Sequence, residues 1–584
     1  MNKIGLFIAC LLPIFLQAQD FQTPFEQNNN YSASYTEVIE FYKALQIRYP
    51  DKMQMLAHGS TDAGHPLHTI VIDQDGDFTA TQARDNGKLI VFVDNGIHPG
   101  EPCGIDASMM LVRDYLTGKL NAQILDKTTL VVVPVYNIGG SLNRTAYSRA
   151  NQQGPELYGF RGNTRNYDLN RDFIKADTRN AQTFNQIYGQ WKPHIFIDTH
   201  TSNGADYQYS MTLIATQHNK LQSDLGQYMN QKMLPYLYQS MEERNWEMIP
   251  YVYARSTPDQ GIAGFLDLPR YSSGYAALHN AFSFMPETHM LKPFKNRVLS
   301  TYHFIDAMLN FVAKENQVII DLRQKADQKT SQQTSFDLNW ELDQSKADSI
   351  SFKGYTAKYK PSLISGKDRL YYDQAAPYTI TIPYLNYYKA NLSVEKPIAY
   401  IIPQAYQELI ERLQWNGVKT QRLQADVRIE TEHYKISDYQ SRRSPYEGHY
   451  LHYGVQVVKD TIEMQFYKGD VVVYANQASN RYIVETLEPQ APDSYFAWNF
   501  FDAILQRKEY FSSYVFEDTA YEYLNQHPEL KEALEKAKAA DPELAKSGRA
   551  QLNFIYQRSP YSEPTYQRYP VGRLIREQKL PLGN

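Results

Sequence analysis

Residues 88–116, KLIVFVDNGIHPGEPCGIDASMMLVRDYL, constrain the fold more than any other stretch, because a buried strand, a tight turn and a helix follow one another there. Leu89, Ile90, Val91, Phe92 and Val93 form a short apolar run rich in β-branched residues, which suits a strand covered on both faces. The strand breakers that follow, from Asn95 to Pro102, make a turn. From Gly104 the apolar positions Ile105, Met109, Val112 and Leu116 return at helical spacing. His98 and Glu101 sit three residues apart on that turn, which Pro99 and Pro102 stiffen, so an imidazole nitrogen and a carboxylate oxygen can converge on one ion. They supply two-thirds of a His₂Glu zinc set, the arrangement that leaves a fourth position for water. Taken alone, such a pair is more often a solvated turn than a pair of metal ligands.

Two further apolar strands are expected at residues 128–135 (TTLVVVPV) and 193–199 (PHIFIDT), with a helix between them at residues 180–188. A helix at 36–49 and a strand at 67–73 form an entry layer. Strands alternating with helices predict an α/β fold with a mixed, mostly parallel sheet flanked by helices. Ligands of such sheets bind beyond the carboxyl ends of the strands, and His98 and His200 each stand just past one. Neighbouring His194 is read as structural. Residues 160–173, FRGNTRNYDLNRDF, are rich in polar donors. Such a loop is commonly just solvated, yet Arg161, Asn170 and Arg171 offer groups suited to an oxyanion and a planar carboxylate.

HPGE at residues 98–101, DLNR at 168–171, the strand-end His200 and FMPETH at 284–289 together resemble, in order and spacing, the zinc metallocarboxypeptidase family of carboxypeptidase A-like exopeptidases. The likeness spans roughly residues 35–311. It implies that His98, Glu101 and His200 bind one zinc ion and that Glu287 is the general base. It also implies that Asp168 orients His98 from behind, that Arg161 polarises the scissile carbonyl, and that Asn170 and Arg171 grip a terminal carboxylate. Arg161 fits by lying nine residues before Asn170. The ending Pro-Glu-Thr-His departs from the family's usual motif, and spacing does not locate the substrate-loop tyrosine. Tyr275 is the candidate and Tyr271 the next, with packing aromatics as the competing reading for both.

A chain of 584 residues exceeds one ordinary core, so two to four domains are expected. Its 42% hydrophobic and 21% charged residues are those of a soluble globular protein, and a net charge of -5 disfavours nucleic acid as a partner. Forty-seven tyrosines fit either many half-buried strands or a protein that handles carbohydrate or peptide. Residues 1–19 carry a basic start at Lys3, an apolar run and Ala18 before Asp20, the pattern of a secretory signal peptide too short to span a bilayer. The expected location is therefore periplasmic or extracellular, with no membrane span. Loss of that peptide would remove Cys10 and leave Cys103 unpaired, a small buried hydrophobe.

The expected organisation is a catalytic domain at 20–313, a polar linker at 314–349 centred on QKADQKTSQQTS, and a smaller α+β accessory domain at 350–584. In the last region, strands are expected at 378–382, 398–402, 462–467 and 471–474, with helices at 404–415 and 530–540. The functional expectation is a secreted zinc carboxypeptidase acting on peptides with a free C-terminal carboxylate. The alternative is a zinc amidase or deacylase of the same fold, acting on acylated amino acids or cell-wall peptides. A binding module that has lost catalysis would have no need of Glu287, and an intracellular structural protein would have no need of a leader.

Overall fold

The computed structural model describes residues 21–583, so the segment read as a signal peptide lies outside the described residues. The apolar runs become strands β1 (Met53–Ser60), β2 (Pro66–Ile72), β3 (Leu89–Asp94), β4 (Thr128–Val133), β5 (Ile195–Asp198), β6 (His200–Ser202), β7 (Met211–Ala215), β8 (Met248–Pro250), β9 (Ile262–Ala263) and β10 (Phe282–His289). All but β9 join one nine-stranded sheet in the order β1-β2-β4-β3-β5-β10-β7-β8, with β6 beside β10. Pairs β3–β4, β3–β5, β5–β10, β6–β10 and β7–β8 are parallel, while β1–β2, β2–β4 and β7–β10 are antiparallel. The sheet is thus the mixed, mostly parallel one expected. Every residue of β3, β4 and β5 is buried, as a strand covered on both faces requires.

One face packs on helices α1 (Cys103–Thr117) and α3 (Phe294–Gln332), through Val91, Val93, Met109, Val112, Phe304 and Met308 among others. The opposite face packs on α2 (Arg179–Trp191), and the apolar layer there continues without a break into the C-terminal region. Phe92, Phe196 and Phe184 belong to the same buried cluster as Tyr400, Leu413, Tyr482 and Trp498. Side chains of this size stabilise by about 1.5–3 kcal/mol each when fully removed from water, so the C-terminal region is held to the sheet by core packing.

Residues 314–349, expected as a polar linker, are regular structure. Helix α3 runs on to Gln332 past a kink at Glu315, and two strands follow, β11 (Ser335–Leu342) and β12 (Asp348–Pro361). Composition misled here because it counts residues and ignores faces. Ile319, Arg323, Ala326 and Thr330 recur at helical spacing and are all buried, and Arg323 Nη1 donates to the carbonyl of Pro193 at 2.8 Å. Beyond lie β13 (Asp368–Leu385), paired with β12, and β14 (Tyr388–Glu395), paired with β11. A six-stranded antiparallel sheet follows, made of β15 (Ala399–Ile402), β16 (Gln421–Arg422), β17 (Val427–Ser441), β18 (His452–Phe466), β19 (Val471–Tyr474) and β20 (Gly572–Leu574). The expected strands at 378–382, 398–402, 462–467 and 471–474 fall in or across β13, β15, β18 and β19. No helix among the described residues is long and apolar enough to cross a membrane.

Candidate metal centre

Three neighbouring parallel strands, β3, β5 and β10, bring the candidate residues to one end of the sheet. After β3 the chain turns at Gly96 (φ +69) through His98 and Glu101, a turn closed by the Glu101 N–H donating to the His98 carbonyl at 2.8 Å. His200 opens β6, two residues beyond the end of β5. Glu287 lies on β10 directly across from His200 in the β6–β10 pairing.

His98, Glu101 and His200 are each 3% exposed, and one ligand atom from each lies within 4.8 Å of the others. Glu101 stands between the two imidazoles, with Oε1 3.3 Å from His98 Nδ1 and Oε2 3.2 Å from His200 Nδ1. The far nitrogen of each ring is taken by a carboxylate: His98 Nε2 meets Asp168 Oδ1 at 2.8 Å, and His200 Nε2 meets Asp198 Oδ2 at 2.7 Å. A carboxylate behind each ring fixes its orientation and turns the opposite nitrogen inward. His98 Nδ1 is buried without a hydrogen-bond partner. Two oriented imidazole nitrogens and a carboxylate are the donor set a catalytic zinc takes, so these residues fit that ion.

Burial opposes the charge on Glu101, but Arg149, His98 and His200 outweigh it and hold the carboxyl well below the usual range. Burial likewise opposes protonation of His200, yet Asp198 beside it raises its pKa well above that of a free imidazole. At Glu287 burial wins and pushes the carboxyl up to about 7, with Glu101 adding to the rise and His200 opposing it. A carboxyl near neutrality can take and return a proton.

The cavity over these residues, about 440 Å³, is lined also by Arg149, Arg161, Asn170, Arg171, Tyr251 and Tyr271. Arg161 pairs with Asp168 Oδ2 at 2.9 Å and approaches Glu101 Oε1 at 3.4 Å. Burial works against the Asp168 charge, and His98, Arg161 and Arg171 overcome it, so its pKa falls far below that of a free carboxylate. Asn170 is fixed at its amide oxygen by the Ser272 N–H, at 3.0 Å. The Arg171 guanidinium lies 4.4 Å over the ring of Tyr271.

Tyr275 is corrected by its surroundings. It is fully buried on the helix Ser272–Leu278, packs on Phe173 and Tyr188, and its hydroxyl donates to Asn416 Oδ1 at 2.5 Å, away from the cavity. The second candidate, Tyr271, is the one of the two that lines the cavity. Sequence reasoning missed Arg149, whose Nη1 donates to Glu101 Oε1 at 2.7 Å, and Glu447, whose Oε2 accepts from the Asp168 N–H at 2.8 Å. Neither has a local cue, since both reach the site from distant loops. Asp198 did have one, two residues before His200 at a strand end.

The zinc carboxypeptidase family model matches residues 38–336, just over half of the chain. Carboxypeptidase 2 of Trichophyton tonsurans is 22% identical over 438 residues, 70% of this chain and 73% of its own length, and the Trichophyton rubrum protein of that name is 22% identical over 436 residues. Among solved structures, carboxypeptidase A from Helicoverpa armigera aligns with 49% of this chain and 75% of its own, at 14% identity and a TM-score of 0.39. With its family model spanning the strands, the HPGE turn and Glu287, this chain belongs to the zinc carboxypeptidase family and is a metallopeptidase.

Proposed function

We propose that the protein is an exported carboxypeptidase that removes C-terminal residues from peptides, with Glu287 as general base. The observation that carries this is the arrangement of two imidazoles turned by Asp168 and Asp198 toward Glu101, with Glu287 in register across from His200. His98, Glu101 and His200 would hold zinc, which supplies Lewis acidity that brings the pKa of a bound water from 15.7 to about 7. Glu287 takes the proton of the attacking water and passes it to the leaving amine, a transfer suited to a carboxyl held near neutrality. Arg161, half-exposed on the cavity wall, donates to the developing oxyanion, a contribution of about 2.7–4 kcal/mol for one well-aimed donor. Asn170 and Arg171 bind the terminal carboxylate, and the stacking of Arg171 on Tyr271 fixes the plane of the guanidinium fork.

Export rests on the leader-like residues 1–19, and mature protein recovered outside the cytoplasm should begin near Asp20. The experiment that tests the exopeptidase reading offers matched peptides with free and amidated C-termini. Cleavage of the free form alone is expected, and equal cleavage of both would leave a zinc hydrolase without carboxylate recognition.

A further inference from the structure

We infer that Glu447, from the C-terminal region beyond the family match, is a positioning residue of the metal centre: by holding the backbone of Asp168 it fixes the carboxylate that turns His98. The inference rests on the zinc reading of His98, Glu101 and His200 and adds to it a part supplied by another region of the chain.

Asp168 can aim its side chain only if its backbone is held. Both carboxylate oxygens are engaged, Oδ1 by His98 Nε2 at 2.8 Å and the Asn170 N–H at 2.9 Å, and Oδ2 by Arg161 at 2.9 Å. Its carbonyl accepts from the Arg171 N–H at 3.0 Å, within the short helical turn that Asp168 caps. The Asp168 N–H is the backbone group that ties this turn to another region, and it donates to Glu447 Oε2 at 2.8 Å.

Glu447 stands at the tip between β17 and β18. Tyr446 and His449 exchange backbone hydrogen bonds across the tip at 2.7 and 3.1 Å, and the two residues between them, Glu447 (φ +50) and Gly448 (φ +80), both have left-handed backbone. Such a two-residue turn favours asparagine or aspartate at the first place and glycine at the second. Glycine is required here, because a Cβ on Gly448 would lie 2.5 Å from the Tyr167 hydroxyl oxygen. Glutamate at the first place is not what the turn favours. What it adds is the length that carries a carboxylate out to Asp168.

The tip is anchored on the loops it serves. His449 Nε2 meets Asp177 Oδ2 at 2.7 Å, Tyr446 stacks on Trp498 at 6.0 Å, and the Arg270 guanidinium lies over both rings, at 5.5 and 5.2 Å. Asp493 accepts from the Arg270 N–H at 2.9 Å, one residue before Tyr271. The C-terminal region thus grips the segment that carries Asp168 and the one that carries Tyr271.

Chelator competition on the full chain tests this, with the melting temperature of each zinc-free protein recorded alongside. Glu447→Asp and Glu447→Asn suit the turn but fall short of the Asp168 N–H, and each should weaken zinc binding by about tenfold, the lower end of the range for a partner behind a ligand. Glu447→Gln keeps both the reach and an acceptor oxygen, and should bind zinc as wild type does. Arg443→Ala, exposed in the same connection, should also leave zinc binding where it was. If the glutamate served only the turn, Glu447→Asp and Glu447→Asn would melt at least as high as wild type and hold zinc equally well, a result that overturns the inference. A Glu447→Gln protein as weak in zinc binding as Glu447→Asn overturns it too, since the acceptor would be present without the effect. Wild-type protein that takes up no zinc overturns the zinc reading and this inference with it, whereas zinc bound equally by wild type and by the shortened variants overturns this inference alone.

Discussion

Two clusters among the described residues, one of three aspartates and one of two histidines and a glutamate, have the spacing of a metal site, and they differ in what lies at their centre. Asp73, Asp75 and Asp77 surround the Lys88 ammonium, with Nζ 2.5, 2.8 and 3.4 Å from the three carboxylates. Thr129 Oγ1 donates to Asp73 at 2.6 Å, and the Asp75 and Asp77 N–H groups donate to it as well. The chain provides its own cation there. Burial opposes the charge on Lys88, but Asp73 and Asp75 outweigh it and raise the pKa. Around His98, Glu101 and His200 the central position is faced by two imidazole nitrogens and a carboxylate, and Arg149 stands to one side, bonded to Glu101 Oε1, the Thr201 carbonyl and Gln152. Carboxylate spacing alone does not separate the two groups. The separating features are the imidazoles and the carboxylates behind them.

The largest effect that sharpens this contrast is chemical. Glu287→Gln should lower kcat/KM by about 10²–10⁴-fold while leaving zinc content intact, measured by peptide hydrolysis and metal analysis on the same sample. An active Glu287→Gln enzyme would take proton transfer away from that side chain. Next comes the filled group. Lys88→Met leaves buried carboxylates without a counter-charge and should destabilise by about 3–5 kcal/mol in denaturant titrations, with zinc content unchanged. A variant as stable as wild type would show that the Lys88 cluster is a solvated turn. Behind the ligands, Asp198→Asn should weaken zinc binding by about 10–100-fold, read by competition with a chelator. No change would reduce Asp198 to packing.

The smallest effect is on pH dependence. Glu287 loses its proton-accepting form as the pH falls through its pKa, so kcat/KM falls on the acid side. In the ion-free protein that pKa is about 7. A divalent cation beside the carboxyl favours its charged form, so the acid limb of the zinc enzyme should lie below 7 and its apo carboxyl should titrate higher. An acid limb that persists unchanged in Glu287→Gln would assign the ionisation to another group.

The same contrast shows what a sequence carries. The β3 run and the HPGE turn are local patterns, so the sheet and the approach of His98 to Glu101 were legible from neighbours in the chain. Asp198 was legible too, but only after His200 had been picked out. Arg149 and Glu447 lie 48 and 279 residues from the groups they bond, and nothing in their surroundings marks them. Tyr275 failed because spacing says which residues are near in the chain and nothing about which face of a short helix meets the cavity; its hydroxyl went to Asn416, 141 residues away. The 314–349 stretch failed for the related reason that a polar average hid a buried stripe.

Metal analysis of purified full-length protein tests the central claim most directly, with wild type, His98→Ala, His200→Ala and Lys88→Met measured side by side. The account expects one zinc per chain in wild type and in Lys88→Met, and loss of it in both histidine variants. Zinc retained without His98 and His200, or a wild-type protein that takes up none when zinc is supplied, would contradict it.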